Sequence, residues 1–147
     1  MVVEIVCVGT ELLLGNIVNT NAAFLAEQCA ALGLSCYYQS VVGDNEERLS
    51  RTLGYALDRS DVVILCGGLG PTPDDLTKET AAKVCGLSLV EDAHTRAMIE
   101  AYFEKSQWKV IPDNNWKQAM VPEGAIVIDN HNGTAPGIII EKDGKSV

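Results

Sequence analysis

The sequence predicts an α/β domain built on a mostly parallel sheet with helices on both faces. Two observations carry that expectation. As far as Val84, short apolar runs of strand character alternate with stretches of helical periodicity. The third run, Val62–Cys66, then opens directly into Gly67-Gly68-Leu69-Gly70, a glycine turn between a strand and the helix that follows it. At 147 residues, 47 % of them hydrophobic, the chain fits one domain with a real core, residues 1–147.

The elements follow in order. Val2–Val8 reads as a buried strand that ends at Gly9. A turn over residues 10–15 carries Glu11 beside Leu12-Leu13-Leu14. Asn19-Thr20-Asn21 offers helix-capping residues, and Phe24, Leu25, Gln28, Cys29 and Leu32 give the helix a stripe that Gly33 ends. Residues 34–42 form the second strand. Asp44 and Glu47 have capping-box spacing ahead of a helix through Leu49, Leu53, Ala56 and Leu57, which ends near Ser60. After the third strand and the glycine turn, residues 76–84 read as a helix.

The second half is less regular. Residues 87–90 read as a short edge strand, 92–105 as an exposed helix and 114–120 as a helical turn or two. Residues 125–128 and 138–140 read as strands around a polar loop. Asp143-Gly144 is a strong hairpin signal whose partner strand starts at Lys145. The chain stops at Val147 before that strand is complete, so a domain shortened at its carboxyl-terminal end is expected.

Charge and cysteines narrow the function classes. A net charge of −9 argues against contact with nucleic acid backbones and with anionic membrane surfaces. No apolar run approaches the ~20 residues of a membrane span. Cys7, Cys29, Cys36, Cys66 and Cys85 contain no C-x-x-C pair and are odd in number, as expected of free thiols in a reducing compartment. No basic segment precedes the first strand, so a cytoplasmic location is expected.

The glycine turn carries the chemistry. No Gly-Lys-Ser/Thr follows it, so it is not a P-loop, and Pro73 stands where a dinucleotide fingerprint would place its third glycine. Thr72, Pro73 and Asp75 have the spacing of a capping box, so Asp75 is readable as a helix cap. It is equally readable as part of a site. In open parallel sheets ligands bind beyond the carboxyl ends of the strands. Those ends carry Gly9-Thr10-Glu11, Gly43-Asp44 and the stretch from Gly67 to Asp75, each with a carboxylate. Carboxylates around a phosphate site call for a divalent cation, which can also generate a hydroxide nucleophile. His94 and His131 have no zinc-like spacing, and Trp108 and Trp116 read as packing or interface residues.

The segments Gly9-Thr10-Glu11-Leu12-Leu13-Leu14-Gly15, Asn19-Thr20-Asn21, Val42-Gly43-Asp44-Asn45, Gly67 through Thr77, and Asn130 with Gly133-Thr134-Ala135-Pro136-Gly137 together resemble the amino-terminal domain of the competence/damage-inducible CinA family. That domain is similar to the molybdopterin-binding domains of the MoaB, MogA and MoeA group, which implies a three-layer α/β/α fold. The resemblance implies a metal-dependent ADP-ribose pyrophosphatase that uses Mg, Mn or Co and releases AMP and ribose 5-phosphate. The alternative it implies is a module that binds molybdopterin or a related phosphorylated pterin without hydrolysis, although Asp74 stands where that group often has a basic residue. A homo-oligomer is also implied. On this reading Gly67, Gly68 and Gly70 cradle the pyrophosphate. Asp44 and Asp75 are catalytic and, with Asp74, hold the metal. Thr10, Glu11, Asn19, Asn21, Thr77 and Thr134 contact the nucleotide substrate.

Overall fold

The computed structural model describes residues 1–106 and 110–147. Strand β1 (Val2–Val8) lies between β2 (Ser35–Val42) and β3 (Val62–Cys66), and pairs parallel with both. The full order is β2-β1-β3-β9-β8, where β8 (Glu141–Lys142) and β9 (Lys145–Ser146) form a hairpin. Asp143 and Gly144 turn that hairpin, both at positive φ, as an Asp-Gly type I′ turn demands. Strand β9 then runs parallel to β3, with Ser146 opposite Val62. The expected hairpin and mostly parallel sheet are both present.

Helices cover the two faces separately. Alternate β1 residues Ile5 and Cys7 pack with Ala22 of α2 (Thr20–Ala31). Val6 and Val8 face the other way, onto Leu49, Leu53 and Ala56 of α3 (Glu46–Arg59) and Ala81 of α4 (Thr77–Val84). Leu49 and Leu53 are fully buried, each stabilising the fold by about 1.5–3 kcal/mol. Because α2 and α3 lie on opposite faces, the chain reverses its winding between β1 and β3. That switch point opens a crevice at the carboxyl ends of these two strands.

Four local expectations need correction. The stretch after Gly9 forms a short helix, α1 (Thr10–Leu13), rather than a plain turn. Only part of the expected α2 stripe is core: Cys29 is buried and Leu25 packs on the sheet with Ala22, whereas Phe24 is 60 % and Leu32 75 % exposed. Asn45, not Asp44, caps α3, its Oδ1 accepting from the Arg48 N–H at 3.0 Å. Helix α4 spans Thr77–Val84, close to the expected 76–84, so Thr72 is not its cap.

Beyond α4 the chain adds a peripheral layer. Strand β4 (Leu89–Glu91) pairs antiparallel with β5 (Met120–Pro122), on either side of α5 (Ala93–Lys105) and a 3-10 segment (Asp113–Ala119). Asp92 caps α5 through the Thr95 N–H at 2.6 Å. Strands β6 (Ile126–Ile128) and β7 (Gly137–Ile139) form a second antiparallel pair. Trp116 lies against Arg96, 4.2 Å from ring centre to guanidinium carbon, as a packing residue. Trp108 lies outside the described residues. All five cysteines are free thiols, although Cys36 and Cys66 are only partly buried. Among the described residues no helix is long and apolar enough to cross a membrane.

The amino-terminal end of the sheet holds a buried ion pair that the sequence does not announce. Glu4 is fully buried on the α3 face of β1, and Arg59 at the end of α3 donates to both its oxygens, at 2.9 and 2.7 Å. The β1–β2 register slips between Val3 and Glu4, which sets Tyr38 opposite Glu4. The Arg59 guanidinium stacks on that ring at 3.7 Å.

Candidate functional site

The glycine turn after β3 lies at the switch point. Gly67 and Gly68 take positive φ values of 102° and 62°. A Cβ on Gly67 would collide with the Val8 carbonyl, so only glycine lets β3 leave the sheet this close to β1. Five carbonyls of the turn are answered from within the protein. Thr77 Oγ1 donates to Gly67 O at 2.7 Å, and the Thr77 N–H to Gly68 O at 3.1 Å. Gln118 Nε2 donates to Leu69 O at 3.2 Å. Lys117 Nζ donates to Thr72 O at 2.9 Å and also to Asp75 O.

The amides of the turn converge instead on Asp75. Its Oδ2 accepts from the Thr72 N–H at 3.0 Å and from the Thr72 hydroxyl at 2.5 Å. The carboxylate covers Gly70 so closely that a Cβ there would lie 2.5 Å from Oδ2. Burial alone would raise the Asp75 carboxyl. Hydrogen bonds from Thr72 Oγ1 and from the Gly70 and Thr72 amides, with the Lys117 charge, outweigh it and hold the group below the usual carboxylate range. The anion that the Gly70 and Thr72 amides hold is therefore the turn's own aspartate. Only the carboxylate half of the expected capping box forms: the Thr72 hydroxyl donates to Asp75 instead of accepting from it, the Asp75 N–H donates to the Thr72 carbonyl at 3.1 Å, and the contact closes a turn rather than starting a helix.

Two lysines sit behind the turn. Lys78 is buried, donates to Lys117 O at 2.6 Å and lies 3.8 Å from Glu79 Oε1. Burial lowers its ammonium pKa; Glu79 opposes that shift and Lys117 adds to it. A narrow cleft runs between Gly68, Gly70 and Asp75 on one side and Lys78, Gln118 and Pro136 on the other. An open, mostly apolar cavity of about 610 Å³ adjoins it along β3, sharing Leu69, Lys78 and Pro136. Sequence reasoning missed Lys117 and Gln118, which sit in an aperiodic segment. Lys78 carries one usable signal: a cation in the first turn of a helix opposes the helix dipole and needs a tertiary reason.

The other expected site residues divide into two sets. Asp44 and Thr10 do meet, joining the ends of β2 and β1. Asp44 Oδ2 accepts from the Thr10 N–H at 2.9 Å and its hydroxyl at 2.8 Å, and Thr10 Oγ1 accepts from the Asp44 N–H at 3.2 Å. Glu11 folds its carboxylate back over Gly9, and Asn21 hydrogen-bonds the Cys66 thiol just below the turn. Three residues are placed differently from expectation. Thr77 is buried, its hydroxyl committed to Gly67. Asn19 spends its Oδ1 on the Ala22 N–H at 3.1 Å, as the cap of α2. Thr134 lines a separate crevice with Thr95, Met98 and Asn130. His131 is exposed in its loop, and His94 pairs with Asp129 at 2.8 Å.

The expected metal set is not assembled either. Among the described residues no three His, Cys, Asp or Glu side chains gather as a metal-holding group. Asp44, Asp74 and Asp75 therefore do not close on one ion. Asp44 lies at the end of β2 and Asp75 beyond β3, with β1 between them. Two strand spacings separate those ends by roughly 10 Å. Asp74 is exposed on the turn.

An open parallel sheet with a glycine turn at its switch point defines the class: a molybdopterin-binding-like α/β domain. Residues 4–147 match the sequence family described as "Probable molybdopterin binding domain". The solved structure of the protein CinA from Thermoplasma acidophilum superimposes with a TM-score of 0.91 at 36 % identity, over 99 % of this chain and 84 % of that one. The tungsten-cofactor-synthesising MoaB of Pyrococcus furiosus shares the fold, at a TM-score of 0.59 and 16 % identity, over 99 % of this chain and 77 % of that one. A competence-damage inducible protein of Caldicellulosiruptor bescii is 59 % identical over 99 % of this chain. The chain belongs to the molybdopterin-binding-domain family and, within it, to the CinA proteins. It spans about 35 % of the length of that curated relative.

Proposed function

We propose that this domain hydrolyses the phosphoanhydride of a nucleoside diphosphate sugar, most simply ADP-ribose to AMP and ribose 5-phosphate, with a divalent cation of the Mg, Mn or Co type. The observation that carries this reading is the position of Asp75: an ionised carboxylate resting on the amides of a glycine turn, with Lys78 and Lys117 behind it. A phosphate entering the cleft would meet the same amides. The Asp75 carboxylate, released from them, would share a cation with the phosphate oxygens or take a proton from the attacking water. The cation, when bound, would polarise the phosphoryl group. The adjoining apolar cavity has room for the remainder of a nucleotide. Asp44, held by Thr10 at the neighbouring strand end, would fix that rim rather than share the same ion.

The test is AMP release from ADP-ribose by the full-length protein with Mg²⁺, Mn²⁺ or Co²⁺. Activity that falls at least tenfold in Asp75→Asn while the variant stays folded supports the reading, since removing a group that acts in the transition state typically costs about 10²-fold or more. No AMP with any of the three metals overturns it. The family description favours a second reading, the binding of a phosphorylated pterin without hydrolysis. Calorimetry with ADP-ribose and with a phosphorylated pterin separates the two. In either case we propose a cytoplasmic protein that forms homo-oligomers and acts on neither nucleic acid nor membrane.

A further inference from the structure

We propose that Lys117 is a positioning residue for the glycine turn: from the 3-10 segment it holds the turn in the one shape that keeps Asp75 docked on Thr72. The proposal rests on the turn being the substrate cradle. The chain brings Lys117 to the turn across more than forty residues. Its ammonium donates to the carbonyls of Thr72 and Asp75, the two residues that the Asp75 side chain also joins. The turn is thus pinned twice at the same two positions. Drawing both carbonyls toward the lysine leaves the amides of the turn facing the cleft, as anion binding needs.

The strap is anchored as well as extended. Gln118, the next residue, holds Leu69 O at 3.2 Å, and Lys78 of α4 donates to Lys117 O at 2.6 Å. The backbone of the strap is therefore fixed to α4, and its two side chains are fixed to the turn. The charged groups facing Lys117 and Asp75 are few. Helix α4 brings Lys78 and Glu79, with Glu79 Oε1 3.9 Å from the Lys117 ammonium. The turn itself brings the exposed Asp74. The third wall of the cleft, Ala135 and Pro136, carries no charge. Within this set Lys117 is the cation that touches the turn directly. Its loss frees the Thr72 and Asp75 carbonyls, and with them the orientation of the amide donors.

The test uses the full chain with Lys117→Met and Lys117→Arg. Amide hydrogen exchange at the Thr72 N–H is followed by NMR, and inorganic pyrophosphate with Mg²⁺ is the binding probe. Lys117→Met is expected to speed exchange at the Thr72 amide about tenfold and to weaken pyrophosphate about tenfold, the equivalent of about 1.4 kcal/mol. Lys117→Arg, which keeps the charge and the donors, is expected to restore most of both. Thr72 exchange unchanged in Lys117→Met overturns the proposal. So does a change that arginine fails to rescue in a folded variant. If the methionine variant does not fold, Lys117→Gln takes its place: its shorter, neutral side chain loses the charge and the reach to both carbonyls, and wild-type exchange at Thr72 in that variant overturns the proposal. Amide exchange does not require turnover. If ADP-ribose hydrolysis fails while Thr72 exchange and pyrophosphate binding change as stated, the activity is wrong and the positioning role stands.

Discussion

Asp75 Oδ2 lies 3.0 Å from the Thr72 nitrogen and 2.5 Å from its hydroxyl, so a single carboxylate oxygen closes the turn on itself. This contact carries a pH signature. Burial pushes the carboxyl up from its ordinary value near 3.8, but the Thr72 and Gly70 hydrogen bonds and Lys117 bring it below that value. A group whose folded pKa is depressed stabilises the fold above its unfolded pKa, and that contribution disappears as pH falls through the folded value. Urea denaturation of the wild type and Asp75→Asn should show a constant stability gap from neutral pH to about 5, narrowing below about 4. A gap independent of pH would contradict the assignment.

Gly67 should be among the least replaceable residues of the chain. Gly67→Ala combines a positive φ with a clash against the Val8 carbonyl. It should cost at least about 2 kcal/mol by chemical denaturation. Gly124→Ala, with φ of 79° and open space around the site, should cost only about 1 kcal/mol. Equal losses would show that the close approach of β1 and β3 is not the constraint.

The helix caps give a sharp discrimination. Asn45→Ala removes the oxygen that accepts from Arg48 and should cost about 1 kcal/mol. In Asp44→Ala the cap survives, and the loss falls on the Thr10 contact instead. Amide hydrogen exchange should show faster exchange at the Thr10 N–H in Asp44→Ala and at the Arg48 N–H in Asn45→Ala.

The two faces of the helical layers should differ in the same way. Leu53→Ala empties a fully buried position and should cost about 2–5 kcal/mol. Phe24→Ala, on the outward face of α2, should change stability by no more than about 0.5 kcal/mol. A large loss at Phe24 would restore the original expectation that this stripe is core.

What was legible in the sequence was mostly what is local. Strands β1 and β3 and helix α3 follow from runs and periodicities that their own residues carry, and the Asp143-Gly144 hairpin from the φ values those residues accept. The periodicity places the helix at residues 76–84, close to its actual Thr77–Val84, whereas the Thr72–Asp75 spacing foretells a contact but not that it closes a turn ahead of the helix. Helix α2 was legible only in part: Leu25 and Cys29 of the expected stripe meet the sheet, but Ala22, and not Phe24 or Leu32, completes that face. Lys117 and Gln118 were not legible at all. Their contacts join segments far apart in the chain, and neither residue stands in a periodic pattern.

The β8–β9 hairpin has a consequence for the order in which the chain takes shape during synthesis. Strands β2, β1 and β3 all come from the first half of the chain, so a parallel three-stranded sheet can assemble while the rest is still being translated. The hairpin follows these elements by more than seventy residues. Its Lys145 donates to the carbonyls of Leu57 and Ser60 at the end of α3, and its Lys142 to Cys85 at the end of α4. Two helix ends therefore keep their negative dipole poles uncovered until this hairpin is made. The amino-terminal Rossmann-like half can form early, but it stays incompletely fastened until the ribosome delivers residues 142 and 145.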